Sequence, residues 1–561
     1  MNSKIRVAEA IGKTLSWLGV DHVFGVVGSG NFWQTHSMVA QGVSFTASRH
    51  EMGATCMADA YTRATGKVAV VTVHQGCGFS NAITGIGEAA KCHTPILVVA
   101  GDTPNGQESS NFHIDQDQVA RGVGAQAHRI HSARSAVADA AKAYFTAVNE
   151  RTPVVLSMPI DIQDELLDLH QVEAEIQSLP VSVKLAPSVA SDDSIKTLAE
   201  ALREAKRPVI VGGRGAWHAD AQLRELGALS GALLTTSAAG RGLFVGDDFH
   251  LDVMGGFSTD GTAALIQDAD LLVAFGASLN RWTTRSGSLL KAKKVIQIDD
   301  NSKAFGFHAP VDVAILGDSA LTAVALNAEF RRQPRTTEGY RSSEVQDRVA
   351  ASRYWNDVEF NDLSTTEGTD SDRIDPRLLS NKLDELLPRN RVVTPDGGNF
   401  NAYPAMHFRV QDPQGYCVPL GFQSIGLALA SGIGAGLALP DRVSIVGVGD
   451  GGFMMSLVEL DTAVRLGLRM VVVIYDDAAY GAEVHHFKHE TSDLGIVQFP
   501  DTDIAAIARG FGAKASIIRR LEDLEVVTEW LESGEQVPLV LDAKIVDFPS
   551  WVLAHTFGDD E

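Results

Sequence analysis

IVGVGDGGFMMSLVELDTAVRLGLRMVVVIYDDAAYGAE (residues 445–483) holds two Val/Ile-rich runs, each of which ends on an acid. The first run, 443–448, leads straight into Gly449-Asp450-Gly451-Gly452. A helix is expected next, with Phe453, Leu457, Leu460 and Val464 spaced along one face. The second run, 470–475, stops at Asp476-Asp477. Short apolar runs alternating with amphipathic helices imply a parallel sheet, and in such a sheet both strand ends open on the carboxyl edge, where ligands bind. Asp450 and Asp477 can therefore converge across the intervening helix. The glycines let backbone N–H groups approach an anion. A lone Gly-Asp-Gly also reads as a simple turn. The acidic doublet on the neighbouring strand argues instead for a hard, oxygen-preferring ion such as Mg²⁺ that grips phosphate as well.

The same alternation runs outward through most of the 561 residues, which exceed a single core. Strands are expected at 22–27, 68–73, 96–100 and 154–158, then at 208–211, 271–275 and 294–298, and finally at 391–394, 443–448, 470–475 and 539–543. The fold class is α/β, with three doubly wound parallel-sheet domains. Their expected bounds are 1–165, 191–335 and 373–545, with linkers at 166–190 and 336–372. The second linker holds the charged, hydroxyl-rich RRQPRTTEGYRSSEVQDR (331–348) and NDLSTTEGTDSDR (361–373). The tail 546–561 carries Phe548, Trp551, Val552, Leu553 and Phe557, which suits either a cover over the active site or packing on the body.

Apolar residues make up 45% of the chain, charged residues 21%, and the net charge is −23. Such acidity argues against nucleic acid or an anionic membrane as a partner. Cys56, Cys77, Cys92 and Cys417 form no CxxC pair and read as reduced, mostly buried thiols. Polar residues interrupt MNSKIRVAEAIGKTLSWLGV too often for a signal peptide, and no run could span a membrane, so a cytoplasmic location is expected.

A second stretch, SRHEMGATCMADAYTRATGK (48–67), is the more specific signal. It resembles the RHE-x-x-A-x-x-M-A-x-x-Y-x-R-x-x-G-K segment of thiamine-diphosphate enzymes. The 445–483 stretch resembles their diphosphate- and metal-binding motif, GDG followed by NN. Within that superfamily nearly the whole chain is similar to the acetolactate synthase, pyruvate decarboxylase and benzaldehyde lyase group, in the order pyrimidine-binding, central and diphosphate-binding domain. The resemblance implies thiamine diphosphate and Mg²⁺, or another divalent cation, as cofactors. It places Glu51 at the catalytic glutamate that activates the cofactor through its aminopyrimidine ring. It assigns Asp450, Asp477 and the carbonyl of Ala479 to the metal. Cofactor contacts are implied for Gly76, Gly78 and Asn81, which lie where the group often has GPGATN, and for Gly398 and Asn399 of an Asp-Gly-Gly-Asn loop. Ser424 and Ile425 match the segment whose bulky apolar residue bends the cofactor, and Gly449, Gly451, Gly452 and Tyr480 complete the set. In this family the two cofactor-binding domains come from different subunits, which implies a homodimer or a dimer of dimers.

Two departures stand out. Asp476-Asp477 replaces the family's Asn-Asn, which adds negative charge beside the diphosphate and predicts a steeper dependence on pH or divalent concentration. His113, in NFHIDQDQV (111–119), lies near where synthases and lyases of the group carry an active-site Gln. Glu483 falls where pyruvate decarboxylases carry a proton-handling glutamate, and both are candidate catalytic residues beside Glu51. VIVGGRGAW (209–217) is a glycine-rich turn without a full GxGxxG, so FAD in the central domain is possible but unsupported.

The expected reaction is decarboxylation and carboligation of a 2-oxo acid, as in acetolactate synthase. The alternative is a simple 2-oxo acid decarboxylase or a 2-hydroxyketone lyase that releases an aldehyde. A non-catalytic or regulatory homologue is the alternative of another class, and the presence of Glu51 speaks against it.

Overall fold

The computed structural model describes residues 4–180, 186–364 and 372–556. It contains three wholly parallel sheets with helices on their faces, one for each expected unit. Across its width the first runs Ser44–Ala47, His22–Gly25, Val70–Val73, Leu97–Asp102, Val154–Pro159, Gln126–Arg129. The second runs His250–Val253, Leu233–Thr236, Pro208–Gly212, Leu271–Phe275, Lys294–Asp299, Val313–Leu316. The third runs Arg391–Pro395, Val443–Gly449, Met470–Asp476, Leu539–Lys544, Lys514–Ile518.

The central strands are buried along their whole length, which is why they read as unbroken Val/Ile/Leu runs. The strands that the apolar pattern does not announce lie mostly at sheet edges. Ser44–Ala47, Gln126–Arg129 and Lys514–Ile518 are largely half-exposed and mix polar with apolar residues.

The segment 166–190, expected as a linker, instead begins with a strand, Leu166–Asp168, antiparallel to Lys4–Arg6. The helix Leu169–Ser178 follows and buries Val172 and Ile176 beside Ile5, Ala10 and Val137. In 336–372 a helix at Ser343–Ser352 buries Val345 and Val349, together with Tyr340, in the central core. Two apolar residues one helical turn apart suffice to dock each helix, too little for a periodic signal. Residues 181–185 and 365–371 of these two segments, and Phe557 of the tail, lie outside the described residues.

The first and third domains share one apolar core. Phe24, Met57 and Phe79 pack in the same cluster as Leu429, Ile433, Val446, Phe453 and Leu460. The axis of this contact is the helix Glu51–Thr65 against the small-residue helix Ala428–Ala438. A Cβ at Gly434 would stand 2.1 Å from the Met57 carbonyl oxygen, so only glycine permits this approach. The central domain is tied on by Arg241. This guanidinium is fully buried, pairs with Asp252 at 3.1 Å and donates to the Ala405 carbonyl of the third domain.

Candidate active site

Register brings the two acidic strand ends together. Gly449 lies directly opposite Tyr475 in the third sheet, so Asp450 stands one residue beyond that pair on its strand and Asp477 two residues beyond it on the neighbouring strand. The expected single helix after the glycines is two short ones, Asp450–Ser456 and Glu459–Arg465. Tyr480 lies over the glycines: a Cβ at Gly451 would be 2.7 Å from its ring. The turn 478–480 is held from outside, because Tyr480 N donates to the Val497 carbonyl and Phe499 N to that of Ala478. The Tyr480 and Phe499 rings meet edge to face at 4.9 Å.

Burial raises the Asp450 carboxyl to about pH 7, with the charge of Asp476 adding to the effect. Asp477 is pushed well above the usual carboxylate range, first by burial and then by Asp450, Asp547 and Asp476. Buried carboxylates that raise one another in this way form a donor set short of positive charge. Two such carboxylates are donors of the kind a hard divalent cation takes, and the Ala479 backbone N–H bonds to Asp477. Among the described residues, no group of three or more His, Cys, Asp or Glu side chains is arranged as a metal cage. A site of two carboxylates and a carbonyl needs none.

Asp396, at the end of Arg391–Pro395, joins the remaining loops of this edge. It accepts from Gly426 N at 2.6 Å and Leu427 N at 3.2 Å, and its Oδ2 fills the space where a Gly452 Cβ would be. Burial raises it to about 6 against the pull of those amides. Gly398 has φ +125°, a backbone state that favours glycine. Ile425 stays half-buried beside Gly397 and belongs to no apolar core, whereas Ser424 turns its hydroxyl toward the Ile425 carbonyl. The Asn399 side chain, expected to contact cofactor, is occupied by the tail. Its Nδ2 donates to the Phe548 carbonyl at 2.9 Å, and its Oδ1 accepts from Ser550 N at 2.8 Å. The tail continues as a helix, Trp551–Thr556, which packs on the helix Gly481–Phe487. Arg285 of the central domain covers the Trp551 ring at 3.8 Å. Glu483 is exposed on Gly481–Phe487, and its backbone N–H donates to the Tyr480 carbonyl.

Glu51 opens its helix and is buried, as the His50 ring caps Met52 N. Asn81 Nδ2 donates to Glu51 Oε2 at 3.0 Å. Oε1 receives no hydrogen bond among the described residues, and a Cβ at Gly78 would lie 3.1 Å from it. Gly76 has φ +60°, and a Cβ there would collide with the Phe112 carbonyl. The loop carrying His113 therefore lies against the Gly76 turn. His113 itself is exposed and meets Thr103 Oγ1 at 3.1 Å, while Phe112 packs on His74. Gln116 pins the loop, accepting from Gly76 N and donating to the Gly101 carbonyl, both at 3.0 Å.

Several of these residues escape a reading of the sequence. Glu459, from the third domain, is buried and accepts from His50 N at 2.9 Å and Arg49 N at 3.1 Å, which fixes the start of the Glu51 helix. His74 and Lys544 likewise lie outside every motif, and Gln116, although within the stretch quoted for His113, carries no signal of its own. Among the described residues, no hydrogen bond or ion pair joins Glu51 to the Asp450–Asp477 group within the chain. In the central domain, Gly213 N and Gly215 N donate to the Phe275 and Gly276 carbonyls. Those two amides are thus committed within the fold and are not offered to a phosphate.

Three family models match the chain in succession. The thiamine pyrophosphate enzyme N-terminal TPP binding domain covers residues 5–121, the central domain 195–326 and the C-terminal TPP binding domain 396–543. The sulfoacetaldehyde acetyltransferase of Castellaniella defragrans is 27% identical over 97% of this chain and 92% of its own length. A probable 2-ketoarginine decarboxylase of Pseudomonas aeruginosa is 28% identical over 94% and 92%. The acetolactate synthase of Bacillus subtilis is 25% identical over 99% and 97%. With its glutamate corner and its acidic strand ends carried by the first and last of three domains matched in the family's order, the chain belongs to the thiamine pyrophosphate enzymes.

Proposed function

We propose that this enzyme uses thiamine diphosphate and a divalent cation, Mg²⁺ first, to cleave and form C–C bonds next to a carbonyl. Its substrate is a 2-oxo acid, and the overall reaction is decarboxylation with carboligation, as in acetolactate synthase. The observation that carries this reading is the Glu51 corner, with one carboxylate oxygen tied to Asn81 and the other open toward Gly78. When bound, thiamine diphosphate supplies a carbon nucleophile and an electron sink. Glu51 holds and returns a proton at Oε1, because Oε2 is occupied by Asn81. Asp450, Asp477 and the Ala479 carbonyl would hold the cation, with Gly449, Gly451 and Gly452 leaving backbone room for the diphosphate. Ile425, half-buried beside Gly397, would support the bend of the cofactor.

The working form is a homodimer or a dimer of dimers. Among the described residues, no hydrogen bond or ion pair joins Glu51 to the acidic strand ends in one chain, and Met454, Met455 and Val458 leave an apolar face on the Asp450 side exposed. A second copy would cover that face and bring the two halves together. Release of free aldehyde is the runner-up outcome, which Glu483 and His113 would serve as proton donors beside the site.

The test is to strip metal with chelator, then titrate thiamine diphosphate and Mg²⁺ while following proton exchange at the cofactor's C2. Metal-dependent exchange that Glu51→Gln abolishes supports the reading, and unchanged exchange in that variant defeats it. Product analysis with pyruvate and with longer or aromatic 2-oxo acids separates the reactions: acyloin marks ligation, aldehyde alone decarboxylation.

A further inference from the structure

The carboxylate preceding Asp477 is not free to face a diphosphate. Asp476 Oδ1 accepts from Ala478 N at 2.9 Å, and Oδ2 accepts from Lys544 Nζ at 2.6 Å. Lys544, on the adjacent strand directly opposite Asp476, is almost fully buried. Its ammonium also meets Asp501 Oδ1 at 2.7 Å, Asp542 Oδ1 at 3.2 Å and the Thr502 carbonyl at 2.7 Å. Asp542 in turn accepts from Ile504 N and Ala505 N. One buried cation thus serves three carboxylates.

The turn held by Asp476 is a strained one. Ala478 has φ +55°, a left-handed state that a non-glycine residue adopts only when its surroundings impose it. The bond from Ala478 N to Asp476 is one restraint, and Phe499 N on the Ala478 carbonyl is another. The residues on either side of Ala478 are Asp477 and Ala479, two of the three oxygen donors assigned to the cation. An uncompensated Asp476 would repel both the diphosphate and the charge of Asp477. Lys544 sets an opposite charge against Asp476 while Asp476 holds the turn.

We propose that Lys544 is a positioning residue for the metal-binding loop: it neutralises Asp476, which holds the Ala478 turn that presents Asp477 and the Ala479 carbonyl. The paired acids of this chain are then a carboxylate for the cation and a second carboxylate committed to a buried lysine. This rests on the cofactor reading above.

The experiment compares Asp476→Asn, Asp476→Ala, Lys544→Met and the double variant Asp476→Asn/Lys544→Met. Two readouts are followed: amide exchange at Ala478 without cofactor, and Mg²⁺-dependent thiamine diphosphate binding by titration calorimetry. Asp476→Asn keeps the acceptor, and is expected to retain both Ala478 protection and affinity. Asp476→Ala is expected to lose the protection and to weaken binding roughly 10–100-fold, the usual effect of removing a partner that orients a metal ligand. Lys544→Met is expected to do the same, and the double variant to recover part of the loss. Equal protection and affinity in Asp476→Ala and wild type would overturn the proposal, as would a double variant no better than Lys544→Met. Should Lys544→Met not fold, the Asn/Ala pair at 476 decides. Wild-type protein that binds no thiamine diphosphate with any divalent cation would defeat the cofactor reading instead, while Ala478 exchange would still test the lysine.

Discussion

Asn81 grips one oxygen of Glu51 at 3.0 Å and leaves the other facing the space above Gly78. A carboxyl held by a single oxygen has a defined orientation and one free position for a proton, which is what proton exchange with a bound ring requires. Replacing Asn81 by Leu removes a hydrogen bond to a charged group, worth about 1.5–3 kcal/mol. The expected result is about a 10–100-fold fall in the C2 exchange rate, with the melting temperature nearly unchanged, measured by isotope exchange and calorimetry.

Gly78→Val tests the open side of the same carboxyl. A Cβ there stands 3.1 Å from Glu51 Oε1 and 3.0 Å from the His74 Cβ, so the added methyls must displace one of them. Overpacking of this kind costs about 1–3 kcal/mol, which a domain of this size survives. The variant should fold and bind Mg²⁺, yet lose turnover in a steady-state assay.

Asp477→Asn should flatten the dependence of thiamine diphosphate affinity on divalent concentration. The carboxyl faces Asp450 and Asp547, so in the wild type the cation relieves repulsion as well as supplying ligation. Titrating cofactor at several Mg²⁺ concentrations reads this directly. Identical curves for wild type and variant would refute it.

Trp551→Ala should release the tail. The ring lies under Arg285 at 3.8 Å, a contact worth about 0.5–2 kcal/mol, and the tail backbone is otherwise held by Asn399 and Tyr403. Limited proteolysis should then cut within 546–556. A rise in KM for the 2-oxo acid would mark the tail as a cover over the site, and unchanged kinetics would mark it as packing on the body.

Stability should fall on the acid side of neutrality through buried histidines. Burial lowers His250 to about 4, and neither ring nitrogen has a hydrogen-bond partner. His407 is lowered to about 3 for the same reason. Because the folded values lie below the unfolded one, near 6.5, the unfolded chain takes up more protons between them. Their contribution is therefore complete above pH 6.5 and is lost as pH falls from there to about 4. His250→Phe keeps the ring contact with Phe244 and removes the proton site. It should retain about 3 kcal/mol that the wild type loses at pH 4, seen as a lower acid-unfolding midpoint.

The motifs differ in how much of this was legible. The Glu51 segment and the two acidic strand ends lie in continuous stretches, where helix and strand periods fix which residues share a face or an edge. His113 and Glu483 rest on the resemblance alone; both are exposed, His113 meets Thr103, and among the described residues no hydrogen bond or ion pair of the Glu483 side chain is present. Asn399 was expected to face cofactor, and its side chain instead holds the tail. The helices within the two expected linkers leave little trace in the sequence, because a docked helix needs only two buried apolar residues.

By itself the sequence determined the three parallel sheets and set Asp450 and Asp477 at neighbouring strand ends, because both follow from periodicity within a few tens of residues, while the place of Glu51 rests on the resemblance of its segment to a family motif. Only the tertiary structure decided what holds those groups in place. Glu459 and His50 are 409 positions apart, Asn399 and Phe548 are 149, and Lys544 and Asp476 are 68. Such partners leave no local pattern, since a buried charge is selected by what it faces across the fold and not by its neighbours in the chain.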